Sequence, residues 1–239
     1  TCQGLAPQGS AEGPRPMIRC AIFDCDGTLV DSGGTIHRAL GLTFAEHGLS
    51  LPPRQQAQRV IGLSLVEAMA ELAPAHDSDL HHRMAQTYKD AFVTLRGQKE
   101  VEEPLFDGIL PLLDAMEERG WLLAVATGKS DRGLRHCLTS HGLHARFLSL
   151  QTADRHPSKP HPSMALQALA DCGASAERSI VIGDTGWDMG MAKAAGCHAI
   201  GALWGYHDEE ELRDAGADTL AAHPAEVLDQ AEQLVKVGA

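Results

Sequence analysis

A short acidic segment that follows an apolar run constrains this chain more than any other feature. The run from Ile18 to Phe23 has the length of one buried strand, and Asp24, Asp26 and Gly27 follow it directly. Because side chains alternate along an extended backbone, Asp24 and Asp26 point to the same side. The Asp-Gly dipeptide alone would fit a polar turn. Two carboxylates on one side repel each other, however, and the arrangement indicates a site for a hard divalent cation such as Mg²⁺.

The bulk composition is that of a folded protein of one or two domains. The chain has 239 residues, 44% of them hydrophobic, and a formal net charge of -12. This acidic balance disfavours nucleic acids and anionic membranes as partners. A small anionic substrate stays open, because a bound metal and one lysine can reverse the local field. No apolar run reaches the roughly 18 residues of a membrane span, so we expect no membrane partner.

Two further features concern the cellular location and the N-terminus. The six cysteines form no Cys-x-x-Cys pair, and most lie inside apolar segments, which is typical of buried thiols in a reducing compartment. We therefore expect a cytoplasmic protein. Residues 1–16 are rich in Gly, Pro, Gln and Ala, and we interpret them as a disordered tail or an expression remnant ahead of a start at Met17.

Residues 32–105, called the helical insertion below, show helical periodicity and no strand pattern. Gly48 is suited to end the first helix, and Ser64 with Glu67 fits a capping box that opens the second. The helices predicted in this part are 36–48, 64–72 and about 78–95. We assign the helical insertion to a separate cap domain.

From residue 107 onward, helical and strand patterns alternate along the chain. The predicted strands are 121–126, 147–150, 179–183 and 199–201, and the predicted helices are 108–119, 130–142, 162–172, 188–195 and 225–235. Such alternation predicts an α/β fold, with a Rossmann-like three-layer core around a parallel sheet. We assign residues 17–31 and 106–239 to this core.

Polar residues follow several of the predicted strands. Ligands of parallel sheets bind at the carboxyl ends of the strands, so Asp24, Asp26, Thr127 and Asp184 are expected to meet at one edge. The helical insertion follows the loop after the first strand. It should therefore lie over the same edge as a cap.

Four motifs in this order resemble those of the haloacid dehalogenase superfamily, and the resemblance covers nearly everything from residue 18 to about 220. The motifs are Asp24-Cys25-Asp26-Gly27-Thr28, Thr127-Gly128, Lys159-Pro160 and Gly183-Asp184-Thr185-x-x-Asp188. Their spacing is similar to that of phosphatases with a helical cap between the first and second motifs. Within the superfamily, the chain is most similar to enzymes of the phosphoglycolate phosphatase type.

The resemblance implies a role for each motif residue in phosphoryl transfer. It makes Asp24 the nucleophile that forms an aspartyl-phosphate, and Asp26 the general acid and base. Lys159 would place a positive charge beside Asp24 and the phosphate. Thr127 and the N–H of Gly128 would donate hydrogen bonds to the phosphate oxygens, where charge accumulates in the transition state.

The resemblance also implies a Mg²⁺ cofactor. Its ligands would be Asp24, Asp184 and the backbone carbonyl of Asp26, together with the phosphate. We expect Asp188 to orient a metal-bound water or Lys159, with direct ligation of the ion left open.

Two alternatives to hydrolysis stay open. Sugar phosphomutases of the same fold also keep the acid at the position of Asp26, and they usually carry a cap histidine soon after the first motif. His37 lies one residue out of register with that position, which Ile36 occupies, so we favour hydrolysis. A non-catalytic binding protein is the other alternative, although each of the four motifs is present.

The helical insertion is expected to choose the substrate, because the core contacts only the phosphate. The candidate residues are Arg38, Arg59, Gly62 and Ser64, with a glycine that permits a close approach to the ligand. Arginines on amphipathic helices mostly face solvent, and Ser64 is already explained as a helix cap. The expected partner is a small phosphorylated metabolite, and the sequence leaves its identity and the oligomeric state open.

Overall fold

A computed structural model describes residues 18–237 of the chain. The predicted tail 1–16 and the proposed start at Met17 lie outside the described residues. Within the part that is described, no helix is both long and apolar enough to cross a membrane.

One parallel sheet of six strands forms the centre of the described structure, in the order β3-β2-β1-β4-β5-β6. The strands are β1 Arg19–Phe23, β2 Trp121–Thr127, β3 Ser149–Thr152, β4 Ser179–Gly183, β5 His198–Ala202 and β6 Thr219–Ala221. In β1, Ala21 and Phe23 pack on one face of the sheet, whereas Cys20 and Ile22 pack on the other. This alternation is that of a strand buried on both sides.

Ten α-helices accompany the sheet within residues 18–237. They are α1 Gly33–Glu46, α2 Arg54–Arg59, α3 Leu65–Leu72, α4 Ser78–Gly97, α5 Ile109–Glu118, α6 Asp131–Ser140, α7 Ser163–Cys172, α8 Gly186–Ala195, α9 Glu209–Asp214 and α10 Val227–Val237. Helices α5, α6 and α10 cover one face of the sheet, and α7, α8 and α9 cover the other. The predicted three-layer α/β fold is therefore confirmed.

Helices α1 to α4 form the helical insertion and share a hydrophobic cluster of their own. The apolar positions that predicted α1 are all buried in that cluster, among them Ile36, Leu40 and Phe44. Gly48 follows α1 with a φ of 67°, as expected of a residue that ends a helix. The division of the chain into separate core and cap domains stays a prediction.

Several local predictions are wrong. Ser64 precedes α3, but its side chain makes no capping hydrogen bond; its N–H donates to Ser158 Oγ (2.8 Å), which ties the loop to the core. The third strand begins two residues later than predicted, at Ser149. Short α2, α9 and β6 were not predicted, because elements of three to six residues show too little periodicity.

Candidate active site

Asp24, Lys159 and Asp188 form a buried charged cluster where β1 and β4 end. Lys159 Nζ lies 2.8 Å from Asp24 Oδ1 and 2.6 Å from Asp188 Oδ1, and each side chain is at most 1% exposed. Burial alone would lower the pKa of Lys159, but Asp188 and Asp24 outweigh it and raise that pKa. Lys159 is therefore charged and holds two carboxylates together out of contact with water.

The second oxygen of Asp24 has no such partner. Asp24 Oδ2 is buried and accepts no hydrogen bond from the described residues. Burial raises the pKa of Asp24 to about 7, with Lys159 acting against the increase and Asp188 adding to it. A buried carboxylate oxygen without a partner is costly unless a cation or a reacting group meets it.

Asp184 and Asp188 complete a group of acidic ligands. One carboxylate oxygen each from Asp24, Asp184 and Asp188 lies within 4.8 Å of the others. Burial and the neighbouring acids raise the pKa of Asp184. A buried set of oxygen donors with surplus negative charge fits a hard divalent cation such as Mg²⁺.

The surroundings of Asp184 and Asp188 differ. Asp184 accepts one hydrogen bond on each oxygen, from Thr28 Oγ1 (2.8 Å) and from the N–H of Tyr206 (3.0 Å), which leaves lone pairs free. In Asp188, Oδ1 is taken by Lys159, and Oδ2 accepts from both the N–H and the hydroxyl of Thr185. Asp188 is thus better placed to orient Lys159 than to bind an ion.

Gly27 lets the acidic loop approach Asp184 closely. Its φ is +88°, and a Cβ at this position would lie 2.1 Å from Asp184 Oδ2. Residue 27 therefore requires a glycine for its backbone conformation and also for space.

Asp26 faces a second buried cation, Lys129, which the sequence analysis did not single out. Lys129 Nζ lies 2.7 Å from Asp26 Oδ1 and 2.7 Å from Glu103 Oε1. Ser32 Oγ donates a further hydrogen bond to Asp26 Oδ1. Burial opposes the charge on Lys129, but Asp26 and Glu103 outweigh it and raise the pKa of the lysine. Each of the two acids of the first motif thus has its own ammonium group.

Thr127 and Gly128 lie at the end of β2, where the helical insertion contacts the core. Thr127 is 1% exposed, and its hydroxyl accepts from the N–H of Lys129 (3.2 Å). A Cβ at Gly128 would lie 2.4 Å from the carbonyl oxygen of Leu63 and 2.8 Å from that of Gly62. The loop of the insertion therefore packs directly on the end of β2.

A cavity of about 350 Å³ lies beside Asp26, between the helical insertion and the core. Of the predicted specificity residues, only Gly62 lines it. Arg38 pairs with Glu100 and Arg59 pairs with Glu211, 2.9 Å away, so both arginines contact acids outside the cavity. The structure therefore does not bring these two arginines to the site.

The cavity walls include residues that the sequence analysis missed, among them Lys129, Tyr88, Phe92 and Arg96. The sequence contained a signal for only one of these residues, Lys129, which directly follows the Thr-Gly pair at a strand end. Tyr88, Phe92 and Arg96 lie on α4, and helical periodicity shows which residues share a face but not what that face contacts.

Comparisons with known proteins agree with this geometry. A family model described as "Haloacid dehalogenase-like hydrolase" matches residues 21–202. The chain is 32% identical over 227 residues to the protein named "Probable phosphatase IndB" of Dickeya dadantii, which covers 93% of this chain and 96% of that protein. It is 29% identical over 217 residues to a phosphoglycolate phosphatase of Xanthomonas campestris, with 89% and 96% covered. A solved hydrolase from Pseudomonas syringae has a TM-score of 0.79 and 25% identity, with 90% of this chain and 98% of that chain covered.

Proposed function

The chain belongs to the haloacid dehalogenase-like hydrolase family, and from this premise we propose that it is a Mg²⁺-dependent phosphatase that hydrolyses a small phosphate monoester through an aspartyl-phosphate. One observation carries the proposal: Asp24 has a buried Oδ2 without a hydrogen-bond partner, while its Oδ1 is held 2.8 Å from Lys159 Nζ. A carboxylate that is oriented on one oxygen and free on the other is arranged as a nucleophile.

The reaction has two displacements. In the first, Asp24 attacks phosphorus, the bond to the leaving oxygen breaks, and Asp26 gives that oxygen its proton. In the second, Asp26 takes a proton from water as the water attacks phosphorus, and the bond to Asp24 breaks to release phosphate. Asp26 suits this role because it lines the cavity from which an alcohol would leave and water would enter.

Asp24 and Asp184 are the side chains that we propose to hold Mg²⁺, with the backbone carbonyl of Asp26 as a further ligand. The ion would neutralise charge between the phosphate and the carboxylates. The closeness of the acidic oxygens and the free lone pairs of Asp24 and Asp184 support this assignment. For Asp188 we propose that it orients Lys159, since its Oδ1 contacts Lys159 and its Oδ2 already accepts two hydrogen bonds from Thr185.

Lys159, Thr127 and Gly128 would stabilise the phosphate. Lys159 supplies a fixed positive charge, and the hydroxyl of Thr127 and the N–H of Gly128 would donate to phosphate oxygens. The burial of Lys159 and Thr127 supports this role, because charge stabilisation is stronger where water is excluded.

For the substrate, the relatives named phosphoglycolate phosphatase suggest a small metabolite phosphate. A phosphomutase is the second candidate and would need a cap histidine that reaches the substrate. Ile36 lines the cavity, whereas His37 does not, which favours hydrolysis. We also propose a reducing location such as the cytoplasm, in keeping with five described cysteines that are free thiols.

The test is phosphate release from p-nitrophenyl phosphate with and without Mg²⁺. We expect activity only with the metal, and a loss of at least about a thousandfold in Asp24→Asn. Asp229→Asn, an exposed acid on α10, is the matched control and should keep full activity. Undiminished activity in Asp24→Asn would contradict the nucleophile assignment, and hexose phosphates that are isomerised without phosphate release would favour the mutase.

A further inference from the structure

The cavity beside Asp26 belongs to a docked arrangement of the helical insertion on the core. On one side, Trp187 Nε1 donates to the carbonyl of Arg59 (3.1 Å). On another, Lys89 Nζ of α4 lies 3.6 Å from Asp154 Oδ1 of the core. The cavity volume of about 350 Å³ is therefore the space that is left with the insertion docked on the core.

This volume is large for a minimal leaving group. It corresponds to roughly a dozen water molecules at about 30 Å³ each. It also falls in the range of pockets that bind ring-containing small molecules, about 300–1,000 Å³. Glycolate, with only two carbon atoms, would leave most of the cavity unfilled.

The walls of the cavity are mainly apolar. Tyr88 and Phe92 of α4 contribute two rings whose centroids are 5.2 Å apart at an angle of 48°, and Leu40 and Met69 add aliphatic surface. Aromatic side chains favour other rings in offset or tilted contact. These walls fit an apolar, ring-sized group.

The end of the cavity near the ester is unsuited to a second anion. Lys129 is the cation next to Asp26, and it already contacts Asp26 and Glu103 at 2.7 Å each. When Asp26 carries the proton that it gives to the leaving oxygen, Glu103 alone neutralises Lys129, and no net positive charge remains to attract an anion. A carboxylate one carbon away from the ester oxygen would therefore meet no free cation there.

A free donor lies farther along the same helix. Tyr88 lines the cavity together with Asp26. Arg96 follows Tyr88 by eight residues on α4, about 12 Å along the axis, and also lines the cavity. Its Nε is buried and has no hydrogen-bond partner among the described residues.

We propose, on the premise of the phosphatase function above, that the substrate is the phosphate monoester of a ring-bearing alcohol. Its apolar ring would lie against Tyr88 and Phe92, and an acceptor group on the far side of the ring would bind Arg96. This substrate class excludes 2-phosphoglycolate as the preferred substrate.

Three phosphate esters of alkyl alcohols test the proposal: 4-carboxybenzyl phosphate, benzyl phosphate and 2-phosphoglycolate. We expect kcat/KM to fall in that order, by roughly tenfold at each step, as expected for the loss of a charge-assisted hydrogen bond and then of an apolar contact. In Arg96→Met the ratio of kcat/KM for 4-carboxybenzyl phosphate to kcat/KM for benzyl phosphate should fall to about one. Arg83→Met, an exposed arginine on the same helix, is the matched control and should keep the wild-type ratio.

Binding of 4-carboxybenzylphosphonate, measured by calorimetry in the presence of Mg²⁺, distinguishes the proposed substrate class from the proposed phosphatase function. Preferred turnover of 2-phosphoglycolate, or an unchanged ratio in Arg96→Met, would overturn the substrate class and leave the phosphatase function standing. Phosphonate binding that weakens about tenfold in Arg96→Met, without turnover of any ester, would support the ring site and overturn the phosphatase function. No turnover and no phosphonate binding would overturn both.

Discussion

The ammonium of Lys159 lies 2.8 Å from Asp24 Oδ1 in a region where neither side chain is more than 1% exposed. A buried ion pair contributes little net stability, but the removal of one partner leaves a charge without compensation. Lys159 also faces Asp188, so its loss would leave two such charges. Loss of Lys159 should therefore affect both the reactivity of Asp24 and the stability of the fold.

Lys159→Met is expected to abolish activity and to lower the free energy of unfolding by about 3–5 kcal/mol. Chemical denaturation at about pH 8, where Asp24 is mainly ionised, measures the second effect. Lys193→Met is the matched control, because Lys193 makes an ion pair of similar length (2.7 Å) with Asp218 but is 46% exposed. That variant should lose no more than about 1 kcal/mol. Equal losses in the two variants would contradict the account.

Stabilisation by Mg²⁺ should depend on pH. Since burial raises the pKa of Asp24 from 3.8 to about 7, the metal-free protein loses stability as the pH rises through that value. Protons and Mg²⁺ compete for the same oxygens, so with a pKa of about 7 for Asp24 the apparent affinity should be roughly thirtyfold weaker at pH 5.5 than at pH 8. The increase in Tm on addition of Mg²⁺ should accordingly be larger at pH 8. An increase in Tm that is the same at pH 5.5 and pH 8 would rule out Asp24 as a ligand.

Gly27→Ala should disturb Asp184 in addition to straining the backbone. The φ of +88° costs about 1–2 kcal/mol for any L-residue, and the new Cβ would lie 2.1 Å from Asp184 Oδ2. A displacement of about 1 Å in the site should lower kcat about a hundredfold. Gly48→Ala separates the two effects, because Gly48 has a φ of +67° and nothing within 4 Å of its Cβ position. The Gly48→Ala variant should be less stable but fully active, and a loss of kcat as large as that of Gly27→Ala would refute the argument.

Glu103→Gln should change the preference between leaving groups. It removes one of the two acids that neutralise Lys129, so the lysine could attract an anion near the ester. We expect kcat/KM for 2-phosphoglycolate to rise several-fold relative to benzyl phosphate. Glu100→Gln, which removes an acid paired with Arg38 outside the cavity, should leave the ratio unchanged. A ratio that stays constant in Glu103→Gln would argue against the charge balance around Lys129.

The sequence was sufficient for the parts of the structure that follow from short-range patterns. The alternation of apolar strands and amphipathic helices predicted the parallel sheet, and the rule that ligands bind at strand ends brought Asp24 and Asp184 together. The structure places their carboxylates, with that of Asp188, within 4.8 Å of one another. Asp24 and Asp184 could be predicted because each follows a strand directly.

The cavity could not be predicted in the same way. Whether Arg38 or Arg96 faces the substrate depends on how the helical insertion docks, and both residues lie on amphipathic helices with similar periodicity. The contacts that fix the docking, such as Ser64 N–H to Ser158 Oγ and Lys89 to Asp154, join residues far apart in the chain. A single sequence carries no signal for contacts of that kind.

Direct identification of the phosphorylated residue tests the central proposal. The enzyme is mixed with Mg²⁺ and excess substrate and quenched in acid, and the acyl-phosphate is reduced with borohydride before peptide mapping by mass spectrometry. We predict that Asp24 is converted to homoserine in wild type, and that position 24 is unmodified in Asp24→Asn. Turnover that leaves Asp24 unmodified, or a reduced acyl-phosphate at any other acid, would contradict the account.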